Sequence, residues 1–311
     1  MSEHPVPSAR ARALVRGAYD THVHVAPDVM ARRIDDVDLA HRCAEVGLAG
    51  FVLKSHYVAT AERAAVVRKV VPDVDALGAI TLNGAMGGIN PVAVEVAARQ
   101  GARIVWMPTV DSGNQRRNTA TDLPGATPAM WGAFQADLHS QGIVPEPVEV
   151  VDGDGRVLER VRQVLRVIAR HDIALATGHL SGAEIVSMVR AAREEGVRRI
   201  VVTHPEFTSQ RLPVEQQREL ADAGALLERC FTTPHSGKVA WVELFATIRA
   251  VGVAHSILSS DLGQPFNPPV EDGLALFADR LLGAGFTDEE IHVMAVVNSR
   301  RLATPRATVP A

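Results

Sequence analysis

Apolar and polar positions along this chain fall into one recurring phrase: a stretch with helical spacing, a glycine, then a short run rich in β-branched residues. Residues 40–47 precede Gly50-Phe51-Val52-Leu53-Lys54, and residues 94–101 precede Arg103-Ile104-Val105-Trp106-Met107. The phrase returns at 189–196 before 199–203, at 220–224 before 225–228, and at 248–252 before 256–260. Glycine just past a helix is the favoured stop, because it takes positive φ without a Cβ clash. Strands alternating with helices at this spacing predict a parallel sheet of βαβ units. Eight strands can be counted, ending near His24, Lys54, Thr81, Thr109, His179, His204, Glu228 and Asp261. Eight repeats in 311 residues predict an α/β protein with a closed (β/α)8 TIM barrel. An open doubly wound sheet shares the repeat and stays as the alternative. No shift in composition marks a second domain, so one domain is expected over 17–303, with 1–16 and 304–311 as flexible tails.

Two regions break the rhythm. Residues 111–156 form an excursion between the fourth and fifth strands. It opens on a flexible polar run (111–118), continues with a helix near 127–141, and ends in a small hairpin over 148–158 around a glycine-bearing turn. Its Asp152-Gly153-Asp154-Gly155 lacks the spacing of a calcium loop and reads as a turn. Long loops after barrel strands shape or cover a site. The second irregular region, Gln264-Pro265-Phe266-Asn267-Pro268-Pro269, is a rigid loop after the eighth strand. Near Asn83-Gly84-Ala85-Met86-Gly87-Gly88-Ile89-Asn90-Pro91, Asn90 fits a helix N-cap and Pro91 the first helical position.

Composition narrows the class. A net charge of −4 leaves no basic footprint for nucleic acid and no polybasic membrane patch. Two cysteines, Cys43 and Cys230, cannot build a disulfide framework, and residues 1–16 lack an apolar signal core. A cytoplasmic protein with a small-molecule substrate is the expectation, a homo-oligomer being left open.

The chemistry collects at the strand ends. In a strand, residues two apart share a face, so His22 and His24 project together while Val23 and Val25 project the other way. Alone, His-x-His does not specify a metal site. Here Lys54 and His56 follow strand two, His179 ends strand five, His204 strand six and Asp261 strand eight. In a barrel these ends converge on one mouth. Imidazoles with a carboxylate suit zinc and neighbouring divalent ions.

With His22, His24, His179, His204 and Asp261 at these places, the sequence resembles the amidohydrolase superfamily over essentially 17–303; Met294-Ala295-Val296-Val297-Asn298-Ser299-Arg300-Arg301-Leu302 also looks like that family's closing helix. The resemblance implies a distorted TIM barrel holding one or two divalent metals, Zn2+ first, with Mn2+ or Fe2+ as alternatives. It further implies a hydrolase in which metal-activated water attacks a carbonyl-type carbon of an amide, lactone or ester. Asp261 would bind metal and relay the water's proton, and His204 would bind a second metal or polarise the carbonyl. Where binuclear members carry a bridging lysine or glutamate on strand four, this chain has Trp106-Met107-Pro108-Thr109. Lys54 is therefore the candidate to ligate metal as a carbamate, or to act in catalysis as a cation.

His56, Glu228, His235 and Arg116 are candidates for substrate contact, the substrate being small and polar, cyclic compounds included. A decarboxylase or hydratase on the same barrel, a phosphoesterase of the polymerase-and-histidinol-phosphatase type with seven strands, and a non-catalytic metal-binding barrel are the rival readings.

Overall fold

The computed structural model describes residues 4–118 and 122–304. Eight parallel strands follow one another in chain order: β1 (Tyr19–Val23), β2 (Gly50–Leu53), β3 (Asp75–Thr81), β4 (Ala102–Trp106), β5 (Ala174–Ala176), β6 (Ile200–Val202), β7 (Leu226–Cys230) and β8 (Ser256–Ser259). The last returns to the first. Asp261 N donates to His22 O at 2.9 Å and His24 N to Leu262 O at 2.8 Å, and Val23 and Leu262 form a parallel bridge. That closure excludes the open doubly wound sheet and gives a (β/α)8 TIM barrel. The eighth strand also sets it apart from the seven-stranded rival.

Alternation along the strands builds two core layers. Val52, Ile104, Trp106, Val201, Leu226 and Ile257 fill the barrel interior. Phe51, Leu53, Val105, Leu175 and Leu258 face the surrounding helices. The N-terminal end is plugged by the chain's last helical stretch, where Asp288–His292, the π-helical Val293–Val297 and Asn298–Ala303 run on continuously. Ser299 Oγ accepts from Tyr19 N at 3.0 Å, Asn298 Nδ2 donates to Ser256 O at 2.8 Å, and Leu302 joins the interior core. The stretch 294–302 singled out in the sequence is thus the bottom of the barrel.

The excursion is built much as its pattern predicts. A helix spans Met130–Ser140, and the hairpin reduces to one antiparallel bridge, Val151 to Val157. Its polar start is more ordered than expected, with Ser112 capping a short helix, Gly113–Arg117. Asn90 caps the helix Pro91–Arg99 by accepting from Val92 N and Ala93 N.

The expectation of a flexible tail over 1–16 is corrected for its described part, 4–16. Ser8 caps a helix at Ala9–Leu14 and bonds Asp279, while Ala11 and Val15, four apart and so on one face, are buried. Residues 1–3 and 305–311 of the two expected tails lie outside the described residues. Cys43 and Cys230 are both free and buried. Among the described residues no helix is long and apolar enough to cross a membrane.

Candidate metal centre

Local backbone irregularities aim the key side chains. Against β2, β1 carries one extra residue: Asp20 pairs with Phe51 and Val23 with Leu53. This bulge keeps Asp20 and Val23 on the helix side and turns His22 inward. Val23 and Val25 do join the helix-facing core, opposite the two histidines. His204 (φ 23°) and Asp261 (φ 54°) hold left-handed backbone conformations, which for non-glycine residues concentrate at functional sites. Before His179, Gly178 has φ +63°, and a Cβ there would lie 2.3 Å from Met107 O. No other residue fits.

At the floor of the mouth, His22 Nε2 and His24 Nε2 lie 3.1 and 3.2 Å from Asp261 Oδ1, a grouping able to hold a metal ion. His204 stacks on His22 with ring centres 6.0 Å apart, and His179 lies 5.0 Å from His204. Which nitrogen each ring offers is set by the partner of the other. His22 Nδ1 faces the Glu228 carboxylate at 3.2 Å, and only a protonated Nδ1 can donate to it. His204 Nδ1 meets Gln210 Oε1 at 2.9 Å. That amide is fixed in orientation, because its nitrogen donates to the carbonyls of Gly178 and Thr203. His179 Nδ1 meets Gln115 Oε1 at 3.1 Å. All three rings thus present a bare Nε2. His24 Nδ1 is buried with no hydrogen-bond partner among the described residues.

Electrostatics agree with this donor set. Burial pushes His24 down to about 3, helped by the Arg32 charge, and pushes His204 down to about 4. Burial and then the charge of His204 hold His179 well below the usual histidine range. Burial thus favours the neutral form of these rings, the form a metal needs. Burial alone would raise Asp261, but the pull of His22, then the His24 hydrogen bond and Lys54, outweigh it and hold the carboxyl well below its ordinary range. Lys54 Nζ sits 2.8 Å from His22 Nε2 and 5.3 Å above the Trp106 ring. Its pKa is lowered by burial, against the pull of Asp261 and Glu228.

Above this floor opens a cavity walled by Met30, Arg32, Trp131, Phe207, Lys238 and Phe266, with Lys54, His56, His179 and Asp261 also facing it. Three expected substrate contacts are not there. β7 runs two residues past Glu228, so that carboxylate sits a layer below the rim, bonded to His22, Ser259 Oγ (2.9 Å) and the His204 N–H (3.3 Å). Its place is behind His22. His235 turns outward against Phe231, ring centres 4.9 Å apart, and is exposed. Arg116 faces Asp111 and Gln135 beneath the excursion. Conversely, Arg32 and Lys238 line the cavity without being among the site residues expected from the sequence. Arg32 is in an irregular loop and its side chain is buried beside Asp28; Lys238 pairs with Asp122. Neither lies in a periodic segment that would signal its direction.

Fold and donor set together give a (β/α)8 barrel with a candidate divalent-metal centre at its mouth. Within that class the chain belongs to the family of unknown function DUF6282, whose family model matches residues 17–228. The matched span holds every candidate ligand except Asp261. No curated protein matches the chain in sequence. Among solved structures, an amidohydrolase from Pseudomonas aeruginosa is 11% identical at a TM-score of 0.57, with 95% of this chain and 99% of that one covered. The TatD homolog YJJV from Escherichia coli K12 is 16% identical at a TM-score of 0.51, with 95% and 100% covered. A 2,6-dihydroxybenzoate decarboxylase is 12% identical at a TM-score of 0.51, with 92% and 98% covered. At such identities the shared property is the fold, and the (β/α)8 TIM barrel expected from the sequence stands.

Proposed function

We propose that the protein is a metal-dependent hydrolase acting on a carbonyl-type carbon of a small polar substrate, a lactone, ester or amide. His22, His24, His179, His204 and Asp261 would hold one or two divalent ions, zinc first among the candidates. The observation that carries this reading is the convergence of two imidazole Nε2 atoms, of His22 and His24, on one oxygen of a partly buried Asp261, at the floor of a cavity. The residues fit such an ion, because three of the rings have Nδ1 committed to an acceptor and Nε2 bare. When bound, the ion supplies Lewis acidity and lowers the pKa of water towards about 7.

The chain's own groups supply the rest. Asp261, kept ionised, can take the proton that attack by water releases and return it to the leaving group. His204 suits a ligand better than a carbonyl-polarising group, since its bare Nε2 has no proton to donate. Lys54 is the lysine of the site, and burial favours its neutral amine, the form that adds carbon dioxide to give a carbamate ligand. Trp131, Phe207 and Phe266 offer apolar walls to the body of the substrate, and Arg32 a charge at its rim.

Metal content of purified protein, alongside His22→Ala and His204→Ala, tests the site, and a panel of lactones, esters and amides turned over in oxygen-18 water tests the reaction. Metal that falls in His22→Ala together with label in the product supports the reading. Release of carbon dioxide without label moves the reaction to decarboxylation. No metal after supplementation with zinc or manganese overturns the reading.

A further inference from the structure

His56 follows β2, is 4% exposed and lines the same cavity, its ring stacked on His24 with centres 5.1 Å apart. It differs from its neighbours in what its Nδ1 meets. At 2.8 Å lies a hydroxyl, Thr109 Oγ1, where the rings of His22, His179 and His204 meet a carboxylate or an amide oxygen. A hydroxyl can donate or accept, so the remaining partners decide.

Asn83 settles the direction. Its Oδ1 accepts from two backbone N–H groups, Thr109 at 2.8 Å and Asp111 at 3.3 Å, so its Nδ2 must be the donor end. That nitrogen donates to His56 O at 2.9 Å and to Thr109 Oγ1 at 2.7 Å. Thr109 is fully buried, and having accepted from Asn83 it has one partner left for its own proton, His56 Nδ1. An unused buried hydroxyl proton would cost about 1–3 kcal/mol. Every proton in the chain Asn83 to Thr109 to His56 is placed by a backbone group that cannot reverse. The neutral ring of His56 therefore carries its hydrogen on Nε2.

We infer that His56 is the site's hydrogen-bond donor to a substrate oxygen and not a metal ligand, with Asn83 and Thr109 as positioning residues that hold it in the Nε2–H form. The inference rests on the hydrolase reading for the identity of that oxygen, a carbonyl or carboxylate oxygen in the cavity. It supplies what His204 lacks: a proton on a ring that lines the cavity, available to an oxygen that gathers negative charge as a carbonyl is attacked, without a net positive charge beside the metal ligands. Fixed donors of this kind act in transition states through preorganisation, since they need not turn to meet the new charge.

The tautomer can be read without turnover. Long-range proton–nitrogen correlation spectra of the nitrogen-15-labelled, zinc-loaded full chain give the protonated nitrogen of each ring, with His56 assigned by its loss in His56→Leu. The expected result is protonated Nε2 and bare Nδ1 for His56, lost in Thr109→Val and restored in Thr109→Ser. Metal content should be unchanged in His56→Leu. On a substrate found by the panel, kcat should fall about 10²–10³-fold in His56→Leu, with KM moved far less. Thr109→Val should lower kcat about tenfold or more, and Thr109→Ser should recover it. A proton on Nδ1, a zinc-shifted Nε2, or loss of metal in His56→Leu overturns the inference while leaving the hydrolase reading in place. Absence of metal from the wild type with the His56 tautomer intact overturns the hydrolase reading alone.

Discussion

At the scale of single residues, the centre depends on small proton-placing contacts behind the rings. Glu228 is the most loaded of them. Its carboxylate receives His22 Nδ1, Ser259 Oγ and the His204 N–H, and although burial pushes it up, His22, His204 and Lys54 together hold it below the ordinary glutamate range. Glutamine could serve one side of that arrangement but would turn an N–H₂ towards a donor on the other. Glu228→Gln should weaken metal binding about 10–100-fold, read by competition with a chromogenic chelator. Unchanged affinity would mean that Glu228 does not orient His22.

Asp20, at the back of β1, is a different kind of buried acid. Its Oδ1 accepts from Ser260 N at 3.0 Å, but Oδ2 has no partner among the described residues, and burial pushes the group up to about 6 from 3.8. The folded chain then holds a proton that the unfolded chain releases between about pH 4 and 6. Stability from this residue is therefore full below that window and is lost as pH rises through it. Urea unfolding of metal-free protein at pH 4, 5, 6 and 7 should show wild type losing stability relative to Asp20→Asn, by up to about 3 kcal/mol. A pH-independent difference between the two would show that the carboxyl is not perturbed.

At the scale of elements, the strand ends are where regular structure stops in controlled ways. Gly178 is the sharpest case, with left-handed φ and two backbone carbonyls pressed against the place of a Cβ. Gly178→Ala should cost at least about 2 kcal/mol in urea unfolding, from strain and a clash the barrel wall cannot relieve. Gly283, at the end of the helix Gly273–Gly283 with open space around it and no positive φ, is the control. Gly283→Ala should be neutral or stabilise by up to about 1 kcal/mol. Equal effects at the two positions would refute this account.

These elements also explain what could be read from sequence. The helix–glycine–strand phrase is a local code, since periodicity and a C-cap are written in consecutive residues, and it located five of the eight strands, β2, β4, β6, β7 and β8. Lys54, His56, His179, His204 and Asp261 were legible because each follows an apolar strand whose end must reach the mouth, and His22 and His24 because they alternate at the end of β1. Glu228 was misplaced because the pattern does not mark that β7 continues through Arg229 and Cys230. Arg229 can lie in a buried strand because it pairs on the helix side with Glu206 and bonds Gln217, a tertiary compensation no local pattern records. His235, Arg116 and Arg32 lie in short or irregular segments, where spacing says nothing about direction. The Asn83–Thr109–His56 relay joins three separate loops, so only the folded chain displays it.

At the scale of the whole molecule, the candidate centre lies on the seam of the barrel. His22 and His24 come from the first strand and Asp261 from just beyond the last, and the backbone bonds that close the cylinder, Asp261 N to His22 O and His24 N to Leu262 O, run between the same residues. His179 and His204 come from the opposite half. An ion held by this set would bind the closed barrel and not the unfolded chain, in which the ligands are separated by up to most of the sequence. Binding then adds to global stability by mass action, about 2.7 kcal/mol at a free metal concentration one hundred times Kd. For a domain of this size that corresponds to a rise in Tm on the order of 5 °C. Calorimetry of chelated and zinc-loaded protein should show that rise, and it should disappear in His22→Ala and shrink in His179→Ala. A rise that survives His22→Ala would place the ion somewhere other than the seam. No rise with zinc, manganese or iron would remove the physical basis for a metal centre at the one place where closure of the fold and assembly of the site are the same event.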